Sequence, residues 1–320
     1  MEKDFSIVFM GTPEFAVTIL DKLYTEGVTI KGVITAPDKP SGRGRKLNES
    51  AVKKFAVSKD LPVLQPSNLK SPEFVEELKT LEADLFVVVA FRMLPEVVWG
   101  MPQAGTINLH ASLLPNYRGA APINWAIING ETTTGVTTFF IEKEIDTGKI
   151  IEQERVEIGE NESVGELYER LMLLGANVML STVHKIKEGD AEAIDQSKLL
   201  TGTDRPAPKI FKEDCEINFN HPVADVHNFC RGLSPYPAAW CTLYNKVKDE
   251  LKTYKISGTT KTDIKVEANT NILSDAEGLL FPCADHYVRV REIQPEGKRK
   301  MTFKEFLAGN NIENLIIPER

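Results

Sequence analysis

DLFVVVAF, residues 84–91, is the stretch on which the fold turns. It is apolar at odd and even positions alike, as a strand buried on both faces should be. FSIVFM (5–10), VTIKGVIT (28–35) and GTINLH (105–110) are further short runs rich in β-branched or aromatic residues. Between them, PEFAVTILDKLYTE (13–26) and SPEFVEELKTLEA (71–83) carry helical spacing. Ser71 is placed to cap the second of these, with Pro72 in its first turn, where a missing N–H costs nothing. Strand and helix in alternation predict crossover units, hence an α/β fold with a mostly parallel sheet and helices on both faces.

After residue 131 the pattern changes. TGVTTFFIE (134–142) and KIIEQERVEI (149–158) alternate and predict a hairpin-like pair joined through EIDTG. A long helix follows from Ser163, where Ser163 and Glu166 form a capping box, and it stops near Gly189. Apolar periodicity is lost from about 190 to 210, which places a linker there. Beyond it one helical stretch, VADVHNFCRGL, leads into the short strands AWCTLYN, LKTYKISG, DIKVEAN and LLFPCADHYVRVREI, and then a final helix, TFKEFLAGN. Short strands parted by turn signals suggest a small β-barrel. The expected division is therefore a first domain over 1–189, a linker over 190–208 and a barrel over 209–320.

The 320 residues allow two domains of ordinary size, and 26% charged residues suit a soluble globular chain. No apolar run approaches a membrane span, and the start, MEKDFSIVFM, is too acidic and too short in its apolar part for a signal peptide. A formal net charge of −8 argues against a protein that coats nucleic acid non-specifically. It leaves room for a large nucleic-acid substrate held by local basic patches. The four cysteines show no CxxC and no ligand spacing, which points to reduced thiols, a cytoplasmic location and no metal.

Asn108 and His110 sit two apart on a strand end and so share a face. One offers a neutral amide donor, the other a group that exchanges a proton near neutral pH. Asp146, in EIDTGKI, is a carboxylate in a turn between two strands. Together they suit acyl or formyl transfer, in which an attacking amine loses a proton and an oxyanion needs donors. Alone, the three residues could equally be a capping Asn, a core His and a turn Asp.

The neighbouring residues change that balance. NLHASLLPNYRG, continuing as SLLPNYRGAAPINWAI, and TGVTTFF…EIDTGKII resemble the strongest signature of the folate-dependent formyltransferase family. The resemblance covers almost the whole chain. It implies a Rossmann-like catalytic domain, with Asn108, His110 and Asp146 as catalytic residues and 10-formyltetrahydrofolate as formyl donor. It also implies a folate site lined by Ser112, Leu113, Leu114 and Pro115, just past a strand end, where open α/β sheets bind ligands. A dinucleotide cofactor is not expected, because FMGTPEF holds only Gly11 of the G-x-G-x-x-G pattern.

For the acceptor, three features resemble family members that formylate methionyl initiator tRNA. FMGTPEFAV is similar to their opening. TAPDKPSGRGRKLNESAVKKFAV (35–57) inserts a loop with Lys39, Arg43, Arg45 and Lys46 among prolines and glycines, suited to contacts on an RNA end. CRGLSPYPAAWCTL (230–243) resembles the entry to their OB-like barrel, where spaced lysines suit backbone contact. The alternative is a 10-formyltetrahydrofolate hydrolase or another folate-dependent formyltransferase, which share the core. A monomer is expected, since no apolar stripe is left over. One departure from the pattern is AFRMLP (90–95), which puts Arg92 beside the expected pterin pocket.

Overall fold

The computed structural model describes residues 4–41, 46–202, 204–267 and 271–318. Two compact units emerge, one of Met1–Gly119, Gly135–Val156 and Glu169–Pro206, the other of Ala120–Thr134, Glu157–Tyr168 and Ala207–Arg320.

In the first unit the apolar runs become β1 (Ser6–Gly11), β2 (Thr29–Ile34), β5 (Val63–Leu64), β6 (Leu85–Val89) and β7 (Thr106–His110). The inserted loop forms a small antiparallel hairpin, β3 (Lys39–Ser41) with β4 (Lys46–Asn48). A short β8 (Arg118–Gly119) precedes β9 (Thr133–Phe140) and β10 (Ile150–Glu157). The seven-stranded sheet has the order β10-β9-β7-β6-β1-β2-β5. Strands from β5 to β7 pair in parallel, whereas β9 runs antiparallel to β7, with His110 opposite Thr137. All five residues of β6 are buried, which explains why residues 84–91 read as apolar on both parities.

Helices α1 (Glu14–Thr25), α2 (Ala51–Ser58), α3 (Pro72–Thr80) and α4 (Glu96–Trp99) belong to this unit. Ser71 caps α3 and Ser50 caps α2, each side-chain oxygen accepting an N–H three residues on. One face of α3 buries Phe74 and Leu78 against Val8, Met10, Phe86 and Val88. Truncating a side chain as buried as Phe86 costs about 3–5 kcal/mol. Gly11 is required where β1 meets α1, because a Cβ there would lie 2.6 Å from that of Ala16. Further along, α5 (Pro122–Ile128) and α6 (Val164–Glu188) follow, and Ser163 and Glu166 make the expected reciprocal cap of α6.

The second unit holds an antiparallel sheet. After β11 (Pro206–Ala207) and α7 (Val223–Gly232) come β12 (Trp240–Asn245), β13 (Glu250–Lys265), β14 (Leu273–Ser274), β15 (Leu279–Pro282) and β16 (His286–Pro295). β17 (Met301–Thr302), α8 (Phe303–Gly309) and β18 (Leu315–Ile316) close the chain. The path runs β14-β15-β16-β13-β12-β18, with β17 on β16. It curls into a half-barrel, so that β14 comes back beside the turn Ile312–Asn314 that leads into β18. LKTYKISG and DIKVEAN, read as two strands, are largely one 16-residue strand. Gly258, at φ +61°, lets that strand bend and continue where another residue would be strained. Packing of α7 on α5 and on β13 fills the concave side with Val226, Cys230, Cys241, Ile256 and Phe281. All four cysteines are buried free thiols. Among the described residues no helix is long and apolar enough to cross a membrane.

Candidate active site

His110 is the last residue of β7 and is 6% exposed. Its two ring nitrogens face different partners. Nε2 lies 2.7 Å from the carbonyl oxygen of Tyr117, and Nδ1 lies 3.7 Å from Oδ2 of Asp146. A carbonyl only accepts, so the Nε2–H donates to Tyr117 and Nδ1 is left facing the carboxylate.

Asp146 comes from the turn between β9 and β10 and sits in the left-handed region at φ +56°, which Asp tolerates better than most residues. Its Oδ2 also accepts the Gly119 N–H at 2.9 Å. Two residues on, Gly148 approaches the sheet so closely that a Cβ would lie 1.7 Å from the carbonyl oxygen of Phe140. The turn is held from outside by Gln196, whose Nε2 donates to the carbonyls of Asp146 (2.9 Å) and Gly148 (2.8 Å). Oε1 of Gln196 in turn accepts from Arg118, at 3.1 Å from Nε and 2.6 Å from a terminal nitrogen.

Asn108 is half-buried on β7, two residues before His110. Among the described residues its amide makes no side-chain hydrogen bond, which leaves it available to a ligand. Ser112 is fully buried, with its hydroxyl donating to the Asn116 carbonyl at 2.7 Å. Leu114 is buried with Phe139 and Ile150, its N–H donating to Thr137 and its carbonyl accepting from Gln153. Pro115 is buried too, and Leu113 is half-buried. Most side chains of the SLLP stretch thus pack inward and support the loop.

Arg92 folds back onto the backbone of residues 66–67, donating to the carbonyls of Pro66 and Ser67 and stacking its guanidinium over Phe91. In the basic hairpin, Lys39 is exposed on β3 and Lys46 begins β4, while Arg43 and Arg45 lie outside the described residues. The hairpin's base is braced by Lys53, which pairs with Asp38 and Glu49, and by Gln65, which donates to Asp38 and to the Ala36 carbonyl.

The second unit contains a cavity of about 560 Å³ lined by Lys209, Lys212, Lys255, Tyr236 and Trp240 among others. Of the basic residues on the strands and turns of this unit, Lys252, Lys261 and Lys300 are paired with Glu250, Glu160 and Glu292, and Arg299 with Glu305. No cluster of three or more His, Cys, Asp or Glu side chains able to hold a metal occurs among the described residues.

Residues 5–183 match the formyl transferase family and residues 209–311 match the formyl transferase C-terminal domain. The chain belongs to the formyl transferase family. Its similarity to the methionyl-tRNA formyltransferase of Bacteroides fragilis is 49% identity over 311 residues, 96% of each chain. That of Flavobacterium psychrophilum is 48% identical, again over 96% of each. Among solved structures, an N-formyltransferase from Helicobacter canadensis in complex with folinic acid and dTDP-3-aminofucose superposes with a TM-score of 0.66. It is 19% identical, covering 93% of this formyl transferase and 100% of that chain, a likeness of fold.

Gln196 was not visible as a site residue in the sequence. It lies 50 residues from Asp146 and 78 from Arg118, in a stretch without periodicity, so no local spacing reveals it.

Proposed function

We propose that this formyl transferase moves the formyl group of 10-formyltetrahydrofolate to the α-amino group of methionine on initiator tRNA, and that Asn108, His110 and Asp146 carry the reaction. The observation that bears most weight is His110, held by the Tyr117 carbonyl at Nε2 and facing the Asp146 carboxylate, 3.7 Å away, with Nδ1. The near full-length similarity to methionyl-tRNA formyltransferases supports the acceptor.

The donor supplies an electrophilic formyl carbon. As the amine attacks it, a C–N bond forms and the formyl oxygen takes on negative charge. Asn108 donates to that oxygen from its amide, and protonated His110 from Nδ1, since Nε2–H is already given to Tyr117. Asp146 stabilises the imidazolium and assists loss of the amine proton. An α-amine titrates at about 7.7–8.0, so no strong base is needed. Collapse breaks the bond to the folate nitrogen, which takes up a proton and leaves as tetrahydrofolate. The residues fit such a donor in two respects: among the described residues Asn108 makes no side-chain hydrogen bond, and Leu113 is only half-buried.

In this reading residues 1–189 are catalytic, 190–208 connect, and the 209–320 barrel grips RNA. Lys39, Arg43, Arg45 and Lys46 contact the acceptor end, and Lys209, Lys212 and Lys255 with Tyr236 and Trp240 offer cations and aromatic faces for nucleotides. The enzyme is taken to be a cytoplasmic monomer without a metal.

The test is formyl transfer to initiator methionyl-tRNA beside elongator methionyl-tRNA and a no-tRNA control. Transfer confined to the initiator is expected. Folate turnover indifferent to tRNA would move the protein to the hydrolase reading.

A further inference from the structure

The sequence places residues 194–205 in a linker, yet this stretch bonds Asp146 directly and reaches His110 by way of Tyr117. Ile194 forms an antiparallel bridge with Ile150 at the start of β10, exchanging both N–H···O bonds at 2.8 Å. That anchor places Gln196, only 1% exposed, against the Asp146 turn. All four hydrogen-bonding positions of its amide are used, two donated to the Asp146 and Gly148 carbonyls and two accepted from Arg118. At the far end, the Arg205 carbonyl accepts the Tyr117 N–H at 2.6 Å, and the Arg205 N–H donates to Asn116 Oδ1 at 3.2 Å. Tyr117, itself at φ +62°, is the residue whose carbonyl holds His110.

Two backbone positions of uncommon conformation, Tyr117 and Asp146, therefore set the imidazole and the carboxylate, and both are fastened by the same short stretch. Such conformations persist where surrounding contacts over-determine them. The Gln196 end of this fastening is buried or part-buried, so bonds lost there are poorly replaced by water and their removal acts on geometry.

We infer that Gln196 is a positioning residue for catalysis, and that Ile194, Gln196 and Arg205 clamp the catalytic pair by holding Asp146 through Gln196 and His110 through Arg205 and Tyr117. The inference rests on the functional reading above for its kinetic consequence, and on geometry alone for its structural one. Gln196 touches no substrate; it acts through Asp146.

The experiment uses the full chain with Gln196→Glu, which keeps an acceptor for Arg118 but removes both donors and sets oxygen against two carbonyls. A crystal structure of this variant is expected to show Asp146 out of its left-handed turn, with Oδ2 no longer on the Gly119 N–H. With initiator methionyl-tRNA as acceptor, kcat should fall on the order of 10- to 100-fold while both KM values stay within about twofold. In an Asp146→Asn background the same change should cost almost nothing further, because both substitutions break one chain of contacts. Should Gln196→Glu fold poorly, Arg118→Lys removes half of the brace from the other side and is read by the same cycle.

An Asp146 turn unmoved in the variant overturns the clamp, whatever the kinetics. Full additivity with Asp146→Asn overturns it equally, since Gln196 would then act elsewhere. If the wild-type chain formylates no tRNA, the functional reading fails while the crystal structure still decides the clamp.

Discussion

Oδ2 of Asp146 serves two partners at once, the Gly119 N–H at 2.9 Å and the Nδ1 edge of His110 at 3.7 Å. The first is a full hydrogen bond; the second is wide enough that the carboxylate acts on the ring mainly by charge and orientation. Substrate binding could shorten it, since catalytic contacts often tighten only in the reactive complex. Asn108→Ala should lower kcat roughly 100- to 1000-fold, the usual cost of one oxyanion donor. His110→Ala should lose at least as much, because it removes a donor and the proton-exchanging group together. Near wild-type turnover in either variant, with an unchanged melting curve, would falsify these roles.

Gly148 tests the turn without touching any catalytic side chain. A Cβ there would stand 1.7 Å from the Phe140 carbonyl oxygen, a backbone atom that cannot swing aside. The turn between β9 and β10 must then open, and Asp146 leaves His110. Gly148→Ala should therefore cut kcat by on the order of 100-fold, as misplacement by about an ångström does. Gly309, with no positive φ and nothing within 4 Å of its Cβ, is the matched control. An alanine there should alter stability slightly and kinetics not at all.

How far the sequence could be read follows the range of the interactions. β6 declared itself because burial on both faces leaves no polar parity, and α3 because Ser71 and Pro72 act within one turn. Asn108 and His110 were legible as a pair because strand period two is a local rule. Asp146 needed the resemblance to be joined to them. The antiparallel pairing of β9 with β7 went unseen, since parallel and antiparallel partners leave the same mark on a single strand. Gln196 was hidden for a stronger reason: its amide answers to three residues at 48 to 78 positions' remove. The one strand through Gly258 was split in the reading because glycine signals a turn or a bend alike.

The basic hairpin and its brace can be separated by salt. If Lys39, Arg43, Arg45 and Lys46 meet RNA phosphates, each neutralised cation should lower the salt slope of tRNA binding by roughly 0.7–0.9. Lys53 lies under the hairpin, committed to Asp38 and Glu49. Lys53→Met should weaken tRNA binding by loosening the base of the hairpin, yet leave the slope as it was. Salt titration of binding, variant by variant, distinguishes the two effects. A slope unchanged on removing all four cations would return the hairpin to the status of solvated surface.

The half-barrel unit carries its own pH dependence at His227, 1% exposed on α7. Nδ1 lies 2.9 Å from the Thr259 hydroxyl and Nε2 lies 3.2 Å from the Glu160 carbonyl, so the neutral ring with Nε2–H is fully satisfied. Burial pushes its pKa down to about 4, with Arg231 and Lys261 adding to the shift and Glu160 opposing it. Because the folded state refuses a proton that the unfolded chain accepts, stability is retained above about pH 6.5 and falls as pH drops towards 4. The full loss is about 3 kcal/mol, taking 1.36 kcal/mol per pKa unit. Carboxylates such as Asp38, Asp275 and Glu305, whose pKa values are lowered by their cationic or N–H partners, also lose stability in acid. Their share is common to wild type and variant and cancels in a difference. His227→Gln, which keeps a donor and an acceptor but cannot charge, should start less stable at pH 8 from imperfect packing. Its melting temperature should then fall less steeply than wild type between pH 6.5 and 4, so that the two curves converge or cross. Parallel curves over that interval would mean that the ring stays reachable by solvent protons and that its burial has no part in acid unfolding.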